Sequence, residues 1–453
     1  MTDFPTEAKL FYQLRDDRTN CCVSSPAYQG VSCVVTLAES AMSTVSGRVL
    51  ATVACNLLSR WCRNITIVTP KAAGFVDAAL DVMRDADPFG TFTAGTVVPR
   101  DAQVQLHLGA GGSPCARHLV AADAGGWHAY LGTAKGPALA TDERNVLGAI
   151  AAACLGVAQV FKLALGMPPN QHLRSGVFDL YRLAWADAPS DPEASLWSRR
   201  DLGRLLLVGA GSVGSSVAYC LQVAGLAADL FVVDKDVVGV ENLNRSPLFG
   251  PRTFGLPKVA ALATALADSD VRCTPFPGWW EELVSEPSRV RGAFDVWLPL
   301  ANERGVRWSM QNNVPPLMIH TSTGINWGVN FGRHIPGRDD CLVDRFPTEL
   351  RTEELACSTA TVAAPGARID AALPFLSVFA GLLVVADLVR LQLAGYPQVP
   401  NFGLFDFGGD LSVPILADRR PRAGCICHSQ SELAASLHAR TRYANFFGVT
   451  AGI

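Results

Sequence analysis

Residues 204–234, RLLLVGAGSVGSSVAYCLQVAGLAADLFVVD, decide how this chain is read. Arg204 to Val208 is a short apolar run of strand type, Gly214 to Ala224 reads as a helix, and Asp229 to Val233 as a second strand. That order opens a βαβ unit of a parallel sheet. Between the first strand and the helix stands Gly209-Ala-Gly-Ser-Val-Gly214. Glycines there let the backbone turn tightly and let a phosphate approach the helix N-terminus. Asp234 ends the second strand, where a carboxylate can hold a ribose hydroxyl. Taken this far, the pattern is most often that of a dinucleotide-dependent oxidoreductase.

The next residues turn the reading. They are Asp234-Lys-Asp-Val-Val-Gly-Val-Glu-Asn-Leu-Asn-Arg245, then Gly255-Leu-Pro-Lys258 at the head of a helix. A hydride-transfer enzyme has no use for Arg245 and Lys258 beside its phosphates. An enzyme in which a carboxylate attacks the α-phosphate of ATP does, because negative charge builds there and on the leaving pyrophosphate. The stretch resembles the ATP site of the E1, molybdopterin-synthase and thiazole-synthase adenylating superfamily, whose pattern is D-x-D-x-V-x-x-x-N-L-x-R followed by a lysine. The spacing of thirteen residues from Arg245 to Lys258 agrees.

The resemblance implies that Gly209, Gly211 and Gly214 cradle phosphate, that Asp234 holds the ribose, and that Asn242, Arg245 and Lys258 contact the triphosphate of ATP. It also implies a magnesium-binding aspartate after the fourth strand, where this chain has Asn302. An amide oxygen is a weaker ligand for Mg2+ than a carboxylate, so Asp236 or Glu303 would have to assist. This departure keeps a non-catalytic nucleotide-binding scaffold open as an alternative.

Outward from this site, the Pro/Asp-rich stretch Ala186 to Glu193 separates two halves of similar pattern. The expected division is residues 1–185, a linker at 186–200, and residues 201–453. In the first half Gly47 to Trp61 reads as a helix and Ile65 to Val68 as a strand. Cys55 and Ile65 to Val68 match Cys220 and Leu230 to Val233 at a constant offset of 165. Where the second half has its glycine loop and Asp234, the first has Thr44-Val-Ser-Gly47 and Thr69. The apolar segment 146–166 likewise resembles 372–395, closed by Lys162 and Arg390 respectively. The expected architecture is therefore an α/β, Rossmann-like pseudo-dimer of one degenerate and one active adenylation domain. E1 cores of this kind bring an arginine from the opposite half to the ATP site, and Arg48 is the candidate for it.

Glu353-Glu-Leu-Ala-Cys357-Ser-Thr-Ala-Thr-Val-Ala-Ala-Pro-Gly366 is similar to the segment around the thioester-forming cysteine of the autophagy E1. That resemblance implies that Cys357 accepts the acyl group as a thioester and passes it to an E2 partner. If Cys357 is structural instead, the chain would act as a sulfur-carrier or small-molecule adenylyltransferase. Many relatives hold a structural zinc on two CxxC pairs, and the corresponding places here offer Cys341, Cys425, Cys427 and His428. The paired apolar helices resemble those of E1-like proteins from bacterial antiphage operons that encode a complete ubiquitin-like pathway.

Bulk properties bound the partners. The net charge is −3 over 453 residues and no basic run is interleaved with aromatics, which speaks against nucleic acid. The N-terminal MTDFPTEAKLFYQLRDD is too charged for a secretory segment, so a cytoplasmic location is expected, with most of the thirteen cysteines as thiols. The apolar runs Val146 to Phe161 and Ala371 to Ala386 fall short of the about 20 residues of a membrane span and read as buried helices. Whether two chains pair through them to form a homodimer stays open.

Overall fold

The computed structural model describes residues 4–23, 25–70, 74–133, 136–187, 189, 201–302, 304–324, 327–342, 372–393, 399–422, 424–425 and 429–444. Helices α1 (Phe4–Arg15) and α2 (Asp17–Cys21) lead into β1 (Ser32–Leu37), α3 (Glu39–Ser43), α4 (Val45–Ser59), β2 (Asn64–Val68), α5 (Gly74–Ala86) and β3 (Thr91–Gly95). Then come β4 (Val104–Leu108), β5 (His118–Gly125), β6 (His128–Gly132), α6 (Leu147–Ala164), β7 (Gly176–Asp179) and β8 (Ala184–Ala186). The second half opens with β9 (Asp201–Val208), α7 (Ser212–Val223), β10 (Ala227–Val233), α8 (Lys258–Ala265), β11 (Val271–Phe276), α9 (Trp280–Val284) and β12 (Val296–Pro299). It continues with α10 (Arg304–Asn312), β13 (Met318–Gly324), β14 (Gly328–His334), α11 (Pro374–Arg390), β15 (Phe402–Asp406) and β16 (Ile415–Ala417).

Two eight-stranded sheets result, ordered β3-β2-β1-β4-β5-β6-β7-β8 and β11-β10-β9-β12-β13-β14-β15-β16. In each, the first five strands of that order pair in parallel and the remaining neighbours pair antiparallel. The similarity between the two halves of the sequence is thus a repeat of topology, strand for strand. Each expected element is present, with ends displaced by up to four residues, as for Ala371 to Ala386 against the observed Pro374–Arg390.

The central parallel strands, such as β12, are buried along their length, while the edge strands β3 and β11 are largely exposed on one or both faces, and one continuous core runs through the two halves. Helices α6 and α11 carry that continuity. Phe161 on α6 lies 5.5 Å from Trp327 and 5.7 Å from Phe375, ring centre to ring centre, and Phe178 lies 6.0 Å from Phe379. Such pairs contribute about 0.5–1.5 kcal/mol each beyond the area they bury. α6 is long and apolar enough to cross a membrane by composition, yet 94% of it is buried inside the fold. Because α6 and α11 cover one another within one chain, their apolar faces are not surfaces on which two chains could pair.

A matching polar contact closes each of these helices. Lys162, at the end of α6, donates its Nζ to the carbonyls of Gln171 and, at 2.5 Å, of Gly409 in the hairpin after β15. Arg390, at the end of α11, donates to the carbonyls of Leu180 (3.0 Å) and Tyr181 (3.4 Å) between β7 and β8. Each half therefore reaches into the other's last hairpin. Asp387 joins Arg390 (3.0 Å) to Arg333 (3.2 Å), all three side chains fully buried.

α11 also presses on α7. A Cβ at Gly381 would lie 2.6 Å from the main-chain carbon of Ser216, so only glycine allows this approach. The helix that follows the glycine loop is thereby held from behind.

Candidate active site

The two parallel runs of the second sheet diverge between β9 and β12, the place in an open α/β sheet where a crevice forms at the carboxyl ends of the strands. Gly209 follows β9 with φ +102°, and a Cβ there would stand 2.6 Å from Cα of Ala301. Gly214 packs on the carbonyl oxygen of Gly209, which a side chain would displace. Gly211 differs from both. It has φ −71° with open space around its Cβ direction, and it begins α7 without any side chain capping the helix. The first amides of α7 are therefore presented at an open face, the arrangement that binds phosphate.

Asp234, at the end of β10, accepts from the amide of Ala210 in the glycine loop (2.6 Å) and from that of Asp236 (2.8 Å). Burial pushes its carboxyl up, and Lys258 opposes the shift. Asp236 binds the Nζ of Lys258 at 2.9 Å and of Lys235 at 3.1 Å. Burial alone would raise its pKa, but these two ammonium groups outweigh it and hold the carboxyl below the usual range. Lys258 opens α8, and its amide donates to the Asp236 carbonyl at 2.9 Å. Val238 and Gly255 exchange with Leu256 and Val238 across the same short ladder, which brings residues 234–238 alongside 255–258. This ladder explains how a lysine 24 positions from Asp234 comes to lie beside it.

Asn242 ends a short 3-10 turn and accepts from the Gly239 amide at 3.0 Å. Arg245 is buried, bonded to the Glu241 carbonyl and to Oδ1 of Asn244 at 2.8 Å. Asn302 follows Ala301, the residue that packs on Gly209, and the carbonyl of Ala301 is fixed by Nε of Arg307 at 2.9 Å. The structure thus gathers Gly209, Gly211, Gly214, Asp234, Asp236, Lys258 and Asn302 at the tips of β9, β10 and β12, with Asn242 and Arg245 on the adjoining loop. Glu303 lies outside the described residues.

The corresponding place in the first half is filled by its own chain. At the start of α4 the Thr44 hydroxyl accepts from the Gly47 amide (3.1 Å), and Oδ1 of Asp142 accepts from the Val45 amide (3.0 Å). The Thr141 carbonyl accepts from the Ser46 amide (3.1 Å). A carboxylate of the protein occupies the helix N-terminus where α7 offers free amides. Nothing in the sequence around Asp142 signals this.

Other expected residues fall differently. Arg48 spends its guanidinium on the carbonyls of Ser43 (2.8 Å) and Met42 (3.4 Å) in its own half, so it is not the arginine that crosses. Arg60, at the other end of α4, does cross to the second half. Cys357 lies outside the described residues, as do Cys427 and His428. Cys341 and Cys425 are buried, and among the described residues no group of three or more His, Cys, Asp or Glu could hold a metal ion. The described structure therefore lends no support to the zinc site.

The site is a crevice at the carboxyl ends of β9, β10 and β12, with an uncapped helix N-terminus, two carboxylates and a lysine beside it. The ThiF family matches residues 198–402, the part of the chain that holds this site, and this part is similar to a ThiF-family domain. The chain is 34% identical over 94 residues to the NEDD8-activating enzyme E1 catalytic subunit of Schizosaccharomyces pombe, covering 20% of this chain and 21% of that one. It is 29% identical over 153 residues to the uncharacterized protein y4jF of Sinorhizobium fredii, covering 30% of this chain and 27% of that protein. The chain spans about a quarter of the length of these curated relatives. Among solved structures, E. coli MccB with MccA-N7isoASN matches at 17% identity and a TM-score of 0.31, covering 48% of this chain and 62% of that one. That score is too low to bear on mechanism.

Proposed function

We propose that this chain uses ATP to adenylate the C-terminal carboxylate of a ubiquitin-like protein, in the manner of an E1. The observation that carries the reading is the convergence of the uncapped start of α7, Asp234 and Lys258 at one crevice. A carboxylate oxygen of the carrier attacks the α-phosphorus, the bond to the bridging oxygen breaks, and pyrophosphate leaves with that electron pair. The α7 amides hold phosphate oxygens, and Lys258, turning from Asp236, stabilises charge that grows on the triphosphate. If Lys258 turned away, Asp236 would supply one carboxylate and Asn302 one amide oxygen. That donor set suits Mg2+, which takes one or two carboxylates and completes its shell with substrate phosphates. The ion would neutralise phosphate charge there.

In the finer form of the proposal, the Cys357 thiolate attacks the acyl-adenylate, AMP leaves, and the thioester passes to an E2-like enzyme. The proposal extends to a place in bacterial antiviral defence, in the cytoplasm, on the resemblance of the paired apolar helices to those of E1-like proteins from antiphage operons. The first half, with its filled site, serves as the non-catalytic partner domain. Asn302 in place of a carboxylate favours the second reading, a scaffold that binds nucleotide without turnover.

ATP:pyrophosphate exchange with the ubiquitin-like protein encoded nearest this gene separates these. Carrier-dependent exchange that is lost in Lys258→Ala, with a thiol-sensitive carrier adduct lost only in Cys357→Ala, is the expected result. ATP binding without exchange, restored by Asn302→Asp, would establish the scaffold instead. Exchange and transfer that survive Cys357→Ala would point to the sulfur-carrier type of adenylyltransferase.

A further inference from the structure

Arg60 is 2% exposed, and although it belongs to the first half, the partners of its Nη1 and Nη2 belong to the second. Its Nη1 donates to the carbonyls of Leu243 (2.6 Å) and Phe249 (3.2 Å), and its Nη2 to that of Pro247 (2.7 Å). Its Nε is held at 2.7 Å by Oδ1 of Asn56, whose Nδ2 also reaches the Pro247 carbonyl at 3.3 Å. Three carbonyls of one seven-residue loop thus converge on a single guanidinium. That loop begins next to Asn242 and contains Arg245.

Two further contacts tie the same loop to the first half. Asn244, which holds Arg245 at 2.8 Å, donates its own Nδ2 to Oγ1 of Thr19 at 3.1 Å. At Gly250 a Cβ would lie 2.7 Å from the Asp85 carbonyl oxygen at the end of α5, so the loop passes hard against that helix. Burying a guanidinium is costly unless its donors are satisfied, and here satisfying them fixes the loop's backbone.

We infer that Arg60 is a positioning residue: from the half without an open nucleotide site, it sets the loop that presents Asn242 and Arg245 to the triphosphate in the other half. It touches no nucleotide and acts through main-chain carbonyls. This rests on the adenylation reading above. It gives the first half a stated task, holding the active site's loop in register.

The test measures MgATP binding by calorimetry and the melting temperature for wild type, Arg60→Gln, Arg60→Lys and Lys162→Met. Lys162→Met loosens the same interface at its far end. The expected result is at least tenfold weaker ATP binding in Arg60→Gln, partial recovery in Arg60→Lys, and less than a twofold change in Lys162→Met at a comparable loss of melting temperature. In an Arg245→Ala background the effect of Arg60→Gln on binding should shrink to less than twofold, because its route is gone. Wild-type binding with an unchanged constant in Arg60→Gln, or equal weakening in Lys162→Met, overturns the inference and leaves the adenylation reading standing. A wild type that binds no MgATP overturns both.

Discussion

Two glycines of the same loop should respond oppositely to the same change. At Gly211 the conformation is open to any residue and the Cβ direction is empty. Alanine there loses at most about 1 kcal/mol of N-cap preference and regains about 0.4–1 kcal/mol by restricting the unfolded chain. Stability should therefore stay within about 1 kcal/mol of wild type. The added methyl, however, stands at the uncapped amides of α7. Losing one charge-assisted amide–phosphate bond costs about 1.5–3 kcal/mol, or about ten- to a hundredfold in ATP affinity. Gly209→Ala meets a different obstacle. Its φ of +102° and the overlap with the main chain of Ala301 should together cost about 2–5 kcal/mol of folding stability. Denaturant melts with calorimetric ATP titrations measure both quantities. A folded Gly211→Ala protein that binds ATP like wild type would refute the assignment of the α7 N-terminus as the phosphate cradle.

Because Asp142 fills the N-terminus of α4, one ATP should bind per chain, and a calorimetric stoichiometry of two would contradict the account of the first half. Asp387→Asn leaves Arg333 and Arg390 without their shared carboxylate and should destabilise the chain by about 3–5 kcal/mol, read from denaturant unfolding. Burial pulls the Lys162 ammonium down to about 8. The unfolded chain, with an ordinary lysine near 10.4, binds more protons between those values, so stability should rise from about pH 8 to about pH 10. That rise should be absent in Lys162→Met.

The gathering of the loop glycines, Asp234, Asn242, Arg245 and Lys258 in one region was legible because they carry a fixed local spacing, and local spacing is what a sequence displays. The doubled topology was legible for a similar reason, since Cys55 with Ile65 to Val68 and the two apolar helices repeat along the chain. Arg60, Asn244, Thr19 and Asp142 were not, because their roles exist only after distant segments meet. Arg48 and Arg60 lie on or beside one helix, and no pattern tells which one turns inward. The facing side chain is decided by how α4 packs on residues 243–249, a contact across about 180 residues of chain.

The crossed grips of Lys162 and Arg390 have an evolutionary corollary. In a dimer of identical chains every substitution at a two-fold contact appears twice, so each change must suit both ends at once. A single chain with two unlike halves escapes that constraint: one end carries lysine on the carbonyls of 171 and 409, the other arginine on those of 180 and 181. The two ends no longer fit interchangeably. Second halves of separate molecules would meet with an arginine at a hairpin shaped for lysine, which disfavours their symmetric pairing. The unlike contacts at the two ends therefore match each second half to the first half of its own chain.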